Sequence, residues 1–169
     1  MEHALRFHIR KNFDEDPARY TKLSERLDEI LKTLTGKWDQ LTLALEVLLG
    51  DATNKSSSSR VHQDPLVARF YGLLESEFAT GATLPDEVRV DIVHLAEEIV
   101  IEVTQRAGIV RFWHNPHAQD EMRKDIIHKL DDGDLFPFSE QAAVADRLME
   151  LARANQPLIT QQIRTRGRS

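Results

Sequence analysis

The sequence contains no cysteine, which excludes a disulfide scaffold, a thiolate nucleophile and any zinc site built on cysteine. No apolar run approaches the roughly 20 residues needed to cross a bilayer, and Met1-Glu2-His3-Ala4-Leu5-Arg6 lacks the apolar core of a signal peptide. The expectation is a cytoplasmic protein. Positive charge is scarce: 22 Lys and Arg stand against 28 Asp and Glu, a net charge of −6 over 169 residues. Three of the cations and none of the acids fall in Gln156–Ser169, so the remainder holds nineteen against twenty-eight, or −9. Binding a phosphate backbone needs a positive field, so direct wrapping of nucleic acid is not expected and any DNA contact is expected to be indirect. At 19.4 kDa the chain suits one domain, or one domain with an appended helical arm.

Catalytic motifs are missing too. There is no G-x-x-x-x-G-K-[ST] run and no glycine cluster to replace it as a phosphate cradle. Glu29, Glu87 and Glu121 each follow an aspartate, but none follows an apolar strand as a helicase metal motif does. Pro85-Asp86 begins a nuclease-like pattern, yet no later Asp or Glu has lysine two positions on to complete a Mg²⁺ site. Nothing in the chain reads as equipment for hydrolysing ATP or cutting DNA.

What is present is helical punctuation. Asp16-Pro17, Asp64-Pro65 and Asn115-Pro116 pair a capping side chain with a proline at the first helical position. Leu84-Pro85 is a fourth start, with Thr83 or the Leu84 backbone as its cap. Gly36, Gly50, Gly81 and Gly108 fall where helices are expected to stop.

Apolar spacing agrees. Tyr20, Leu23, Leu27, Ile30, Leu31 and Leu34 form one stripe, and Trp38, Leu41, Leu45, Leu48 and Leu49 a second. Leu66, Phe70, Leu73 and Leu74 make a third, and Val88 to Val103 the longest. Two more follow Pro116 (Met122, Ile126, Ile127, Leu130) and Ser139 (Val144, Leu148, Leu151, Ala152), and Met1–Phe13 also reads as helix. Only Gly108–Trp113 has an extended look; a lone strand makes no sheet, so it is read as a buried connector. The predicted fold class is all-α, an irregular bundle of six to seven helices with no significant sheet. The predicted organisation is an arm and hairpin over 1–49, a mobile serine-rich loop over 50–64, a bundle over 65–155, and a basic flexible tail over 156–169.

Four constellations offer chemistry. His114, His117 and Asp120 have the spacing of metal ligands if Pro116 starts a helix, although a solvated first turn rich in acids is the default for such a pattern. Asp131-Asp132-Gly133-Asp134 lacks the spaced oxygens and closing Glu of a calcium loop and reads as a turn. Phe112, Trp113, Phe136 and Phe138 either close the core or anchor a partner. Arg123 and Lys124, with Lys129, give the Pro116 helix a small basic side. Phe112, Trp113, Arg123 and Lys124 are therefore the candidate partner-binding set, with no catalytic or cofactor-binding residue expected. Arg164-Thr165-Arg166-Gly167-Arg168 offers at most a weak phosphate contact.

Taken in order, a series of short motifs resembles the C-terminal region of the motor (restriction) subunit of type I restriction–modification enzymes. In the front part these are Glu2-His3-Ala4, His8-Ile9, Asp14-Glu15-Asp16-Pro17, Tyr20, Leu23-Ser24-Glu25-Arg26-Leu27, Ile30-Leu31 and Trp38-Asp39. In the back part they are Phe70-Tyr71, Leu84-Pro85-Asp86-Glu87, Trp113, Asn115-Pro116, Ala118-Gln119, Met122-Arg123, Ile126, Leu130 and Phe136-Pro137. The likeness spans residues 1–155; no single tetrapeptide carries it. It implies a non-catalytic assembly domain whose partners are the methyltransferase and specificity subunits and the motor's own upstream domains, where ATP and Mg²⁺ are expected to bind. It supplies no catalytic residue here and leaves the arginine-rich tail outside. Two other readings stay open from the residues: a free-standing helical adaptor, and a small metal-dependent hydrolase using His114, His117 and Asp120.

Overall fold

The structure is a computed structural model that describes residues 1–53, 64–78 and 83–166. Among these residues there are eight α-helices, two short 3-10 turns and no strand. The all-α class is as expected, with eight helices in place of six to seven. The chain divides into two compact units, Met1–Arg60 and Val61–Ser169.

The first unit holds α1 (Glu2–Asn12), α2 (Pro17–Thr33) and α3 (Trp38–Thr53). Asp16 begins α2 as its spacing with Pro17 requires: its carboxylate accepts the Arg19 N–H at 3.2 Å, and the proline's missing N–H leaves one fewer donor to satisfy. A turn over Leu34–Lys37 joins α2 to α3, closed by the Lys37 N–H donating to the Leu34 carbonyl at 3.0 Å. Gly36 sits there at φ +83, a conformation that disfavours any side chain. Leu5 and Ile9 of α1 meet Tyr20, Leu23 and Leu27 of α2 and Leu45, Leu48 and Ala52 of α3 in one core. His8 Nε2 donates to the Ala52 carbonyl at 3.1 Å and Arg19 to the Asp51 carbonyl at 2.7 Å, supplying donors to the last turn of α3.

Gly50 does not stop α3, as its position suggested. The helix runs on to Thr53, Ala52 is buried in the core and Asp51 pairs with Arg26 at 3.1 Å. Packing there outweighs the roughly 1 kcal/mol cost of glycine in a helix. The predicted loop over 50–64 therefore loses residues 50–53 to the helix, and residues 54–63 lie outside the described residues, as does Gly81.

The second unit is built on α5 (Asp86–Ala107), the longest helix at 22 residues. Around it α4 (Pro65–Phe78), α6 (Pro116–Asp132) and α7 (Phe138–Ala154) close a ring in which α4 packs on α5, α5 on α6, α6 on α7 and α7 on α4. Ile92, Ala96, Ile99 and Val103 of α5 are fully buried at helical spacing, facing Phe70 and Leu74 of α4 and Met122, Ile126 and Leu130 of α6. Asp64 receives the Leu66 N–H at 2.9 Å and Asn115 the Ala118 N–H at 3.2 Å, so both proline starts carry their expected caps. At α5 neither Thr83 nor Leu84 caps. Pro85 itself occupies the cap position without a side-chain bond, and Asp86 and Glu87 offset the exposed N–H groups by charge.

The predicted flexible tail over 156–169 is also corrected. Gln156–Arg166 forms α8, which packs on α5 and α7. Ile159 is buried in the core, Ile163 lies against it one turn on, and Gln162 donates to Asp64 at 2.6 Å. Asn155 makes the bend before α8: it is 1% exposed, its amide donates to the Leu151 carbonyl at 2.8 Å and its side-chain oxygen accepts from Arg69 of α4.

Candidate docking surface

The connector between α5 and α6 was expected to be buried. It is instead a turn over residues 108–111 followed by a 3-10 turn, Phe112–His114, entered through Arg111 at φ +61. That left-handed residue reverses the chain, so neighbouring side chains go opposite ways. Phe112 is driven into the core at 1% exposure, while Ile109 and Val110 stand out at 53% and 86%. Trp113 lies edge-on to Phe112, with ring centroids 5.0 Å apart, half-buried against the core. Gln119 donates to the Phe112 carbonyl at 3.4 Å, tying the turn to α6.

The expected partner-binding set is thus divided. Phe112 is a core residue and leaves no surface for a partner. Trp113 is half-buried against the core. Arg123 spans from α6 to α7 and grips Asp146 through two nitrogens, at 2.5 and 3.3 Å. This bond holds the Asp146 carboxyl below the usual carboxylate range and raises the Arg123 guanidinium above its own. Lys124 reaches back to Asp120 at 2.8 Å and Glu121 at 3.4 Å, raising its own pKa and lowering that of Asp120. The basic side of α6 is therefore largely neutralised by local carboxylates. Arg106 of α5 likewise pairs with Asp125 of α6, and with Glu102 one turn back on its own helix.

His114, His117 and Asp120 do not come together as a metal site. Both histidines are exposed, His117 lies 4.0 Å from Glu121, and the Asp120 carboxylate is held by Lys124. Among the described residues no group of three or more His, Asp or Glu side chains is placed to hold a metal. Asp131 and Asp132 are the last residues of α6 and Gly133 and Asp134 form the turn that leaves it, with the Asp134 N–H on the Asp131 carbonyl at 3.1 Å; the Asp131 carboxylate accepts from Gln141 at 3.2 Å. Of the other two aromatics, Phe136 is buried at 4% and Phe138, at the start of α7, is 84% exposed.

What the sequence reading missed at this surface is the pair Ile109 and Val110. Gly108 before them and a bulky aromatic pair after them were the available signal for a turn whose tip is apolar. Ile109 and Val110 thus form an exposed aliphatic tip next to the buried Phe112. No described helix is long and apolar enough to cross a membrane. Comparison with protein-family profiles, with curated proteins and with solved structures found no match to this chain.

Proposed function

We propose that this chain is a non-catalytic assembly domain of a type I restriction motor subunit, docking the ATP-dependent translocase and nuclease onto the methyltransferase–specificity core in the cytoplasm. The observation that carries the reading is the order and spacing of the motifs quoted above along residues 1–155. Two physical features support it. Near Pro116, Asn115 caps α6 and Arg123, Lys124 and Asp120 are held in ion pairs, and the second unit presents an apolar tip at Ile109 and Val110. Within this reading that tip, with the half-buried Trp113, is the contact point, and Arg123 and Lys124 of α6 are paired charges that an acidic partner would have to win from Asp146 and Asp120.

Competition tests this reading. Excess purified chain is added while an intact motor subunit assembles on its cognate methyltransferase–specificity core, and assembly is followed on native gels. Assembly should fall as the chain is added, and a variant carrying Ile109→Asp and Val110→Asp, folded by circular dichroism, should lose the effect. Undiminished assembly at saturating chain contradicts the proposal.

A further inference from the structure

The cations of the second unit are not paired uniformly. Arg89 pairs with Asp86, Lys129 with Glu98 and Arg147 with Glu77. Arg106, Arg123 and Lys124 are held as described above, and Arg69 bonds to Asn155. By contrast, Arg111, Arg153, Arg164 and Arg166 are exposed and make no ion pair among the described residues. All four belong to the end of the unit that carries Ile109 and Val110. Arg111 directly follows Val110. Arg153, in the last turn of α7, donates to the Gln119 side-chain oxygen at 3.4 Å, and Gln119 in turn donates to the Phe112 carbonyl. Arg166 of α8 donates to the Thr104 hydroxyl at 3.5 Å, one turn before Gly108. Ile163 Cδ1, beside Arg164, lies 3.8 Å from where a Gly108 Cβ would stand.

The carboxylates at this end are already engaged: Glu102 and Asp125 by Arg106, Asp120 and Glu121 by Lys124. Asp64 accepts from the Leu66 N–H and from Gln162. The unit holds 18 acidic against 12 basic residues, but Asp86, Glu87, Asp131, Asp132, Asp134 and Glu140 lie at its other end, where α5 and α7 begin and α6 finishes. Attraction to the carbonyl ends of helices accounts for cations in the last turns of α7 and α8. It does not account for Arg111, which lies in no helix, or for the apolar tip.

We propose that this end of the second unit receives an acidic protein surface. The Ile109–Val110 tip enters an apolar hollow and the four guanidiniums pair with carboxylates on its rim, the division between apolar centre and polar edge that interfaces show. The inference rests on the proposed docking role and assigns the partner's chemistry: the methyltransferase–specificity core meets this chain through an acidic patch. Two observations favour protein over a phosphate backbone. A duplex extends beyond the arginines and meets the repulsion of the unit's acidic excess, and phosphates offer no apolar surface to cover Val110.

Calorimetry of the chain with its cognate core tests this beside two variants of equal charge change, each checked for parent helicity. One carries Arg111→Gln, Arg153→Gln, Arg164→Gln and Arg166→Gln; the other carries Arg10→Gln, Lys11→Gln, Lys32→Gln and Lys37→Gln, exposed cations of the first unit. The first should bind at least about tenfold more weakly than the parent and the second within about twofold of it. Raising salt from about 0.05 to about 0.5 M should weaken the parent complex at least about tenfold. A first variant that binds as the parent does, a second variant equally impaired, or a parent complex indifferent to salt overturns the inference and leaves the docking role standing. No parent complex at all overturns both. The inference also falls if the four arginines serve another occupant, seen as binding of duplex DNA alone, or of a second copy of the chain, that the parent shows and the first variant loses.

Discussion

Phe112 and Val110 lie two residues apart and have opposite fates, and one dihedral separates them. Arg111 in the left-handed region turns the chain so that Phe112 fills the core while Val110 meets solvent. Sequence spacing alone reports apolar character at both positions but not the sign of φ between them, which is why Phe112 was read as a partner-binding candidate and Val110 was not. Phe112→Ala should therefore lower stability by about 3–5 kcal/mol, as for a buried aromatic in a close-packed core, whereas Val110→Ala should leave it nearly unchanged. Urea melts of the two variants check this. Tyr71 carries a second prediction. Burial and its hydrogen bond to Glu75, at 2.9 Å, push the phenol from 10.0 up to about 12. A proton held more tightly in the folded state stabilises it fully below the unfolded value, and that contribution is lost as pH rises through the interval toward 12. Stability measured across that range should fall less steeply in Tyr71→Phe than in the parent. With Tyr20 the only other tyrosine, ultraviolet titration of a Tyr20→Phe chain reads the Tyr71 midpoint directly.

Helix starts were legible in the sequence because each is decided locally. An oxygen-bearing side chain followed by proline settles both the free N–H and the φ angle within a few residues, and Asp16, Asp64 and Asn115 all cap as that chemistry requires. Helix ends were less legible where packing overrode local preference. Gly50 continues α3 because Ala52 beyond it is needed in the core, and α8 forms despite its arginines because Ile159 and Ile163 share one side of it. A tail judged by charge alone conceals that pair. Cutting the chain after Asn155 should therefore destabilise the second unit by at least about 2 kcal/mol, the cost of losing a buried aliphatic side chain; a removable flexible tail predicts no change. Thermal melts of the truncated and parent chains separate these outcomes. The spine helix α5 gives a stronger case. Ile99 is fully buried between α4 and α6, and Ile99→Asp places a charge there without a partner. The penalty of several kcal/mol is comparable to the whole stability of a domain, so the second unit should fail to fold. Cooperative melting near the parent temperature would contradict this placement of α5.

At the scale of the whole molecule, the proposed docking role rests on the order of the sequence motifs. The sequence has no cysteine, phosphate cradle or nuclease motif, and of the ligand candidates near Pro116, His114 and His117 are exposed and Asp120 is bound to Lys124. The candidate surface was half legible beforehand: the aromatic and basic residues near Pro116 marked the region, but which of them face outward depended on the Arg111 turn and on pairing with Asp146, a residue 23 positions away. The most direct measurement of the proposed assembly role mixes this chain with a cognate methyltransferase–specificity core, with and without DNA, and determines the mass by size-exclusion chromatography with light scattering. A stoichiometric complex that forms in either condition and is lost in the Ile109→Asp, Val110→Asp variant is the predicted result; a folded chain that elutes apart from the core in both conditions would contradict it.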